Sequence, residues 1–66
     1  MKLIKKTLKK EIAQRLSASV KLKGIREIDV TDLWKDNADD LLEIFDFSEW
    51  EFFKLNHRIK FRHFDV

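Results

Sequence analysis

The 66-residue chain has no cysteine, no proline and a single glycine, Gly24. Without cysteine it forms neither disulfides nor thiolate metal sites, so folds that depend on either are excluded. One glycine is too few for the glycine-rich loops that bind phosphate in P-loop and dinucleotide-binding proteins. The lack of cysteine also favours a cytoplasmic location.

Long apolar runs are missing as well. No stretch of 18 apolar residues is present, so we expect no transmembrane segment. No apolar run follows the basic residues of 1–10, so we expect no signal peptide. Leucine, isoleucine, valine and phenylalanine still make up 23 of the 66 residues, well above the roughly 20% below which highly charged chains stay disordered. We therefore predict a single folded domain over residues 1–66.

The net charge of +2 conceals a separation of charge along the chain. Residues 1–26 hold nine basic side chains and one acidic one, whereas residues 27–53 hold ten acidic side chains and one basic one. Residues 54–66 are basic again, with four basic side chains and one acid. Segments of opposite sign favour docking through oriented charge over indiscriminate binding to polyanions.

Apolar residues at every fourth position predict a first helix over residues 2–18. Ile4, Leu8, Ile12 and Leu16 lie on one side of this helix, and most of its lysines lie on the other.

Residues 19–30 alternate apolar and charged side chains around Gly24. This alternation favours strands with a kink or turn at the glycine. A helix that continues until Gly24 is the alternative.

A second helix over residues 32–46 is predicted by an apolar side that faces away from an acidic one. Thr31 or Asp29 can cap its N terminus. The apolar side consists of Trp34, Ala38, Leu41, Leu42 and Phe45.

Seven of the eight aromatic residues follow residue 44 and allow two structures there. Ser48 to Glu51 match a capping box, which would begin a third helix. Aromatic density instead favours strands, with Asn56-His57 as a two-residue hairpin turn. We prefer the hairpin and predict an α+β fold, with two amphipathic helices packed on a small two- or three-stranded antiparallel sheet. An all-α three-helix domain is the alternative.

The acidic side of the second helix gives our preferred functional hypothesis. This side contains six pairs of acidic residues three or four positions apart. Each such pair destabilises a helix by roughly 0.2–0.5 kcal/mol, so together they lower the stability of the helix by about 1–3 kcal/mol. We expect a small, non-enzymatic regulatory protein that docks to a protein partner, or to the basic first helix of a second copy as a homodimer. A solvated face without a binding role is the alternative. The predicted contact residues are Asp32, Asp36, Asp39, Asp40 and Glu43.

Nucleic-acid binding is the alternative function. The two basic ends of the chain would attract phosphates. Aromatic residues between the basic residues of the C-terminal segment are typical of surfaces that stack nucleobases. The acidic middle of the chain argues against this function, since it repels phosphate unless it is turned away. The predicted contacts are Lys2, Lys6, Lys9, Lys10, Lys21, Lys23, Arg58, Lys60 and Arg62.

Catalytic and metal sites are weakly indicated. The three serines occur in no nucleophile motif, so we expect no enzyme activity and no cofactor. His57, His63 and Asp65 carry metal-ligating groups, but two histidines without a clear third ligand are a weak signal, so we expect no metal.

Overall fold

The computed structural model describes residues 1–64. This part of the chain forms two helices on a three-stranded antiparallel sheet, which confirms the predicted α+β fold. The strand order is β1-β3-β2, so β3 lies between the other two strands. In chain order the elements are α1 (Lys5–Lys23), β1 (Glu27–Asp29), α2 (Thr31–Ile44), β2 (Trp50–Leu55) and β3 (Arg58–His63).

Both helices cover the same face of the sheet. Phe61 is the centre of this face, since Ile28 of β1 and Phe52 of β2 are its partners across the two strand pairs. Leu8 of α1 and Leu41 of α2 are fully buried in the same cluster. Because side chains alternate along a strand, Arg58, Lys60 and Arg62 lie on the opposite face, which we call the outer face.

The end of α1 corrects the prediction for residues 19–30. The helix continues to Lys23, five residues past its predicted end, and only residues 27–29 form a strand. Gly24 ends the helix with φ 71°, in the left-handed region, and donates its N–H to the Val20 carbonyl at 3.0 Å. The preferred strands over 19–23 are therefore wrong and the helical alternative is right. The alternation there did not reflect burial, because Leu22 is 83% exposed.

The buried side of α2 differs from the predicted one. Burial follows Leu33, Asn37 and Leu41, whereas the predicted core residue Leu42 is 40% exposed. Hydrophobic periodicity does not predict the burial of Asn37, because asparagine is normally exposed. Its hydrogen bonds offset the cost of burial. The buried side of the helix is therefore centred about one residue earlier than predicted.

Neither predicted cap of α2 forms, because the N-cap residue is Val30 and no side chain makes a cap hydrogen bond there. Asp29 instead binds the first residue of the helix. The Asp29 carboxylate accepts the Thr31 N–H at 2.9 Å and the Thr31 hydroxyl at 2.6 Å. Thr31 in turn accepts the Ile59 N–H through Oγ1 at 2.8 Å. This chain of bonds fixes the first turn of α2 against β3.

The hairpin prediction is confirmed and the third helix is wrong. Asn56 and His57 have φ of 52° and 65° and connect β2 to β3 as a two-residue turn. Ser48 caps no helix; its N–H is instead accepted by the Asp46 carboxylate in a turn before β2. The strands prevail because they place Phe52 and Phe61 side by side on the helix-covered face.

Candidate interaction surfaces

Three of the five predicted acidic contacts are paired within the chain. Asp32 receives two hydrogen bonds from Arg15, each 2.8 Å long. Glu43 accepts a bond from Lys5 at 2.6 Å, and Asp36 contacts the N-terminal ammonium group. Part of the predicted attraction between basic and acidic segments therefore acts inside one molecule.

Arg15 forms the most extensive of these contacts. Besides the two bonds to Asp32, it donates to the Asp29 carbonyl and to Glu11, both at 3.1 Å. The hydrogen bond to Asp32 raises the pKa of Arg15 and lowers the pKa of Asp32. A planar guanidinium matches a carboxylate in this two-bond geometry, so Arg15 fixes the middle of α1 to the start of α2.

The other two predicted acidic contacts, Asp39 and Asp40, lie beside Asp36 at a depression on α2. Asp36, Asp39 and Asp40 line it, and its volume is about 220 Å³. Lys2 and Lys35 line the same depression. Lys2, one of the predicted nucleic-acid contacts, therefore lies beside carboxylates of α2.

Three lysines of α1 are exposed along one side of the helix. Lys6 and Lys10 are four residues apart, and Lys21 continues the same side three turns later. Lys9 lies beside this line, whereas Lys23 lies on nearly the opposite side of the helix from Lys21; both are exposed. α1 thus presents a basic surface to solvent, as the sequence indicated.

The C-terminal basic residues occupy the outer face and are paired with acids of β1. Arg58 donates from Nε to Asp29 at 2.7 Å, and Arg62 donates to Glu27 at 3.0 and 2.8 Å. Lys60 Nζ lies 3.7 Å from Glu27. The two basic ends of the chain therefore lie on different sides of the sheet, with α1 over the helix-covered face and these three residues on the outer face.

The pairing lowers the pKa of Asp29. Partial burial raises that pKa, but hydrogen bonds from Arg58 and Thr31 outweigh the burial and bring it to about 2. Asp29 thus joins β1, β3 and α2 through one carboxylate.

The two histidines lie at opposite ends of β3. His57 is in the hairpin turn and His63 ends the strand, so about 20 Å of extended chain separates them. Asp65 lies outside the described residues. Within residues 1–64, no group of three His, Asp or Glu side chains has an arrangement that could hold a metal ion.

A cavity that is open to solvent, between α1 and the end of the sheet, is the site that the sequence did not reveal. Its volume is about 490 Å³, within the range of ligand-binding pockets. Leu16, Val20 and Trp50 supply apolar walls, and Ser17, Lys21, Arg26 and His63 complete the lining. The lining comes from α1, the segment before β1 and the paired ends of β2 and β3, so only tertiary packing brings it together.

Comparisons with models of protein families, with curated proteins and with solved structures found no match. Among residues 1–64, neither helix has the length and apolar character needed to cross a bilayer.

Proposed function

We propose that this is a small, non-enzymatic interaction protein that binds an acidic amphipathic segment of a protein partner along α1. The cavity between α1 and the sheet is the observation that carries the proposal. Its apolar walls suit a leucine or phenylalanine side chain, and Val20 is 46% exposed at its edge. The lysines beside it suit carboxylates on the same partner segment.

Helical spacing extends the cavity into a longer surface. Ser17 and Lys21 line the cavity, and Lys10 and Lys6 continue their line at spacings of seven and four residues. We call these four residues, with Ala13 between them, the basic stripe. A partner helix lying along the stripe would place apolar side chains in the cavity and carboxylates against lysines.

The structure favours α1 over the acidic side of α2 as the contact surface. Asp32, Asp36 and Glu43 already contact cations of the same chain, which weakens their attraction for a partner. Docking of a basic partner on Asp39 and Asp40 stays a prediction, as does the cytoplasmic location.

The proposal is tested with a synthetic 16-residue amphipathic peptide that carries glutamates on one helical side and leucine and phenylalanine on the other. Binding is followed by amide chemical shifts and by the fluorescence of Trp50, which lines the cavity. We expect Val20→Glu to weaken binding by at least tenfold, because it places a carboxylate in the cavity where the apolar side chains of the peptide would pack.

Leu22→Glu is the matched control. It introduces the same charge on the same helix at an 83% exposed position that does not line the cavity. We expect it to change affinity by less than threefold. Equal losses in the two variants, or shifts confined to residues outside the cavity, would contradict the proposal.

Nucleic-acid binding is the second candidate, since exposed lysines at helical spacing also attract phosphates. The basic surface available to nucleic acid is smaller than the sequence indicated. The three C-terminal basic side chains are paired with carboxylates on the outer face. Val20→Gln separates the two functions: it removes an apolar contact without adding charge. This variant should weaken peptide binding and leave the salt-dependent binding of random-sequence RNA and DNA unchanged.

A further inference from the structure

The edge of β2 that faces away from β3 has no partner strand within residues 1–64. The Glu49 carbonyl accepts the Phe64 N–H at 2.9 Å, and the register continues without a bulge from there to the turn. Backbone groups along an antiparallel strand point alternately to its two sides. Phe52 and Lys54 therefore direct both their N–H and C=O groups away from β3, towards the open edge.

The other edge of the sheet is better protected. β1 has only three residues, and α1 packs beside it. Arg15 of α1 donates to the Asp29 carbonyl of β1 at 3.1 Å, which occupies one of the edge groups. Short strands and covering side chains are common protections against pairing between sheet edges.

Apolar side chains flank the open edge of β2 on both faces. Phe53 and Leu55 lie on the outer face, and Leu55 is 57% exposed. On the helix-covered face, Phe52 stacks on Trp34 with ring centroids 5.3 Å apart. The strand has no proline or bulge to prevent a further strand from pairing.

We propose that β2 pairs antiparallel with β2 of a second copy, giving a symmetric dimer with a continuous six-stranded sheet. The two-fold axis passes beside Phe53, which faces Phe53 of the second copy on the outer face. In this register Phe52 lies opposite Lys54 of the second copy, and Lys54 opposite Phe52. The open groups of these residues then form four backbone hydrogen bonds across the interface.

Charge complementarity favours a second copy as the occupant of this edge. The two charged side chains of β2, Glu51 and Lys54, have opposite signs. In this register Glu51 lies opposite Leu55 of the second copy, so no two like charges lie opposite each other. Lys54 lies opposite the aromatic pair of Phe52 and Trp34, where a cation is attracted to the ring faces. The pairing also extends a three-stranded sheet in a chain that is small for an independent fold.

Sedimentation equilibrium between 1 µM and 1 mM tests the dimer. We expect the wild-type chain to dimerise and Phe53→Glu to weaken dimerisation by at least tenfold, since it places two carboxylates together at the axis. The fold should tolerate this change because Lys60 and Arg62 are neighbours of Phe53 on the outer face. Leu22→Glu, with the same charge on α1, should dimerise like the wild type.

A chain made by chemical synthesis with an N-methyl group on Lys54 gives a second variant. The methyl group blocks an N–H of the open edge and leaves the pairing with β3 intact, which circular dichroism and hairpin amide shifts verify. We expect it to be monomeric, with Phe52 exchanging its amide hydrogen equally fast at every concentration.

A wild-type chain that stays monomeric at 1 mM, or a dimer that persists in both β2 variants, would overturn the proposal. A dimer formed by the charged helix faces would instead dissociate in high salt and be unaffected by either β2 change. Val20→Glu should not alter dimerisation, so this experiment is independent of the proposed peptide binding.

Discussion

Asn37 shows how one buried polar side chain sets the position of a whole segment. It is 2% exposed, and its Oδ1 accepts the Leu3 N–H at 2.9 Å. Its Nδ2 donates to the carbonyls of Met1 at 3.1 Å and Leu33 at 3.0 Å. The side-chain amide thus binds backbone groups of the N-terminal segment, as the backbone of a neighbouring strand would. Asn37 itself has a non-helical φ of −126°, which interrupts α2 at this position.

Replacing Asn37 with alanine should destabilise the protein by about 1–3 kcal/mol, because buried groups would lose their hydrogen-bond partner. Urea unfolding followed by circular dichroism measures this change. Asp39→Ala, at an exposed position of the same helix, should change the free energy of unfolding by less than about 0.5 kcal/mol. Equal effects of the two substitutions would show that the Asn37 hydrogen bonds contribute nothing to stability.

At the scale of elements, two short sequence features determine where α1 ends and where the chain turns between β2 and β3. Gly24 has φ of 71°, and a Cβ added there would meet no atom within 4 Å. Its role is therefore conformational and not steric. Asn56 and His57 also adopt positive φ, which allows the tight turn of the hairpin. Of these two, only asparagine is a residue type that readily adopts positive φ.

His57→Gly should therefore stabilise the hairpin. Asn-Gly is the preferred pair for this turn, and removing the Cβ relieves a left-handed conformation at φ 65°. We expect the free energy of unfolding to rise by about 1 kcal/mol, measured by thermal unfolding. His57→Ala keeps the Cβ and should give no such gain, and a similar gain in that variant would contradict the explanation.

At the scale of the whole molecule, ion pairs connect elements that are distant in the sequence. Arg15 connects α1 to α2, and Asp29 connects β1 to β3 through Arg58. The carboxylates of both pairs have lowered pKa values: hydrogen bonding by Arg15 lowers the pKa of Asp32, and that of Asp29 falls from 3.8 to about 2. Such groups stabilise the fold above the unfolded pKa, and their contribution is lost as the pH falls through the folded pKa.

Acid should therefore destabilise the protein between about pH 4 and pH 2 as Asp29 becomes protonated. Its contribution is about 1 kcal/mol, after allowing for solvent screening of a side chain that is 31% exposed. Asp29→Asn should be less stable than the wild type at pH 6, and the difference should shrink towards pH 2. Thermal unfolding across this pH range measures both, and a constant difference would contradict the assigned role.

Local periodicity and turn chemistry were sufficient for the two helices, the hairpin and the α+β class. These signals act over a few residues, so the sequence alone determined them. Tertiary packing decided which face of α2 is buried, since two of the three hydrogen bonds of Asn37 join it to Met1 and Leu3. It also decided the partner of each charge and placed the two basic ends on different sides of the sheet. Those outcomes depend on contacts between residues 14 to 38 positions apart, which no local pattern encodes.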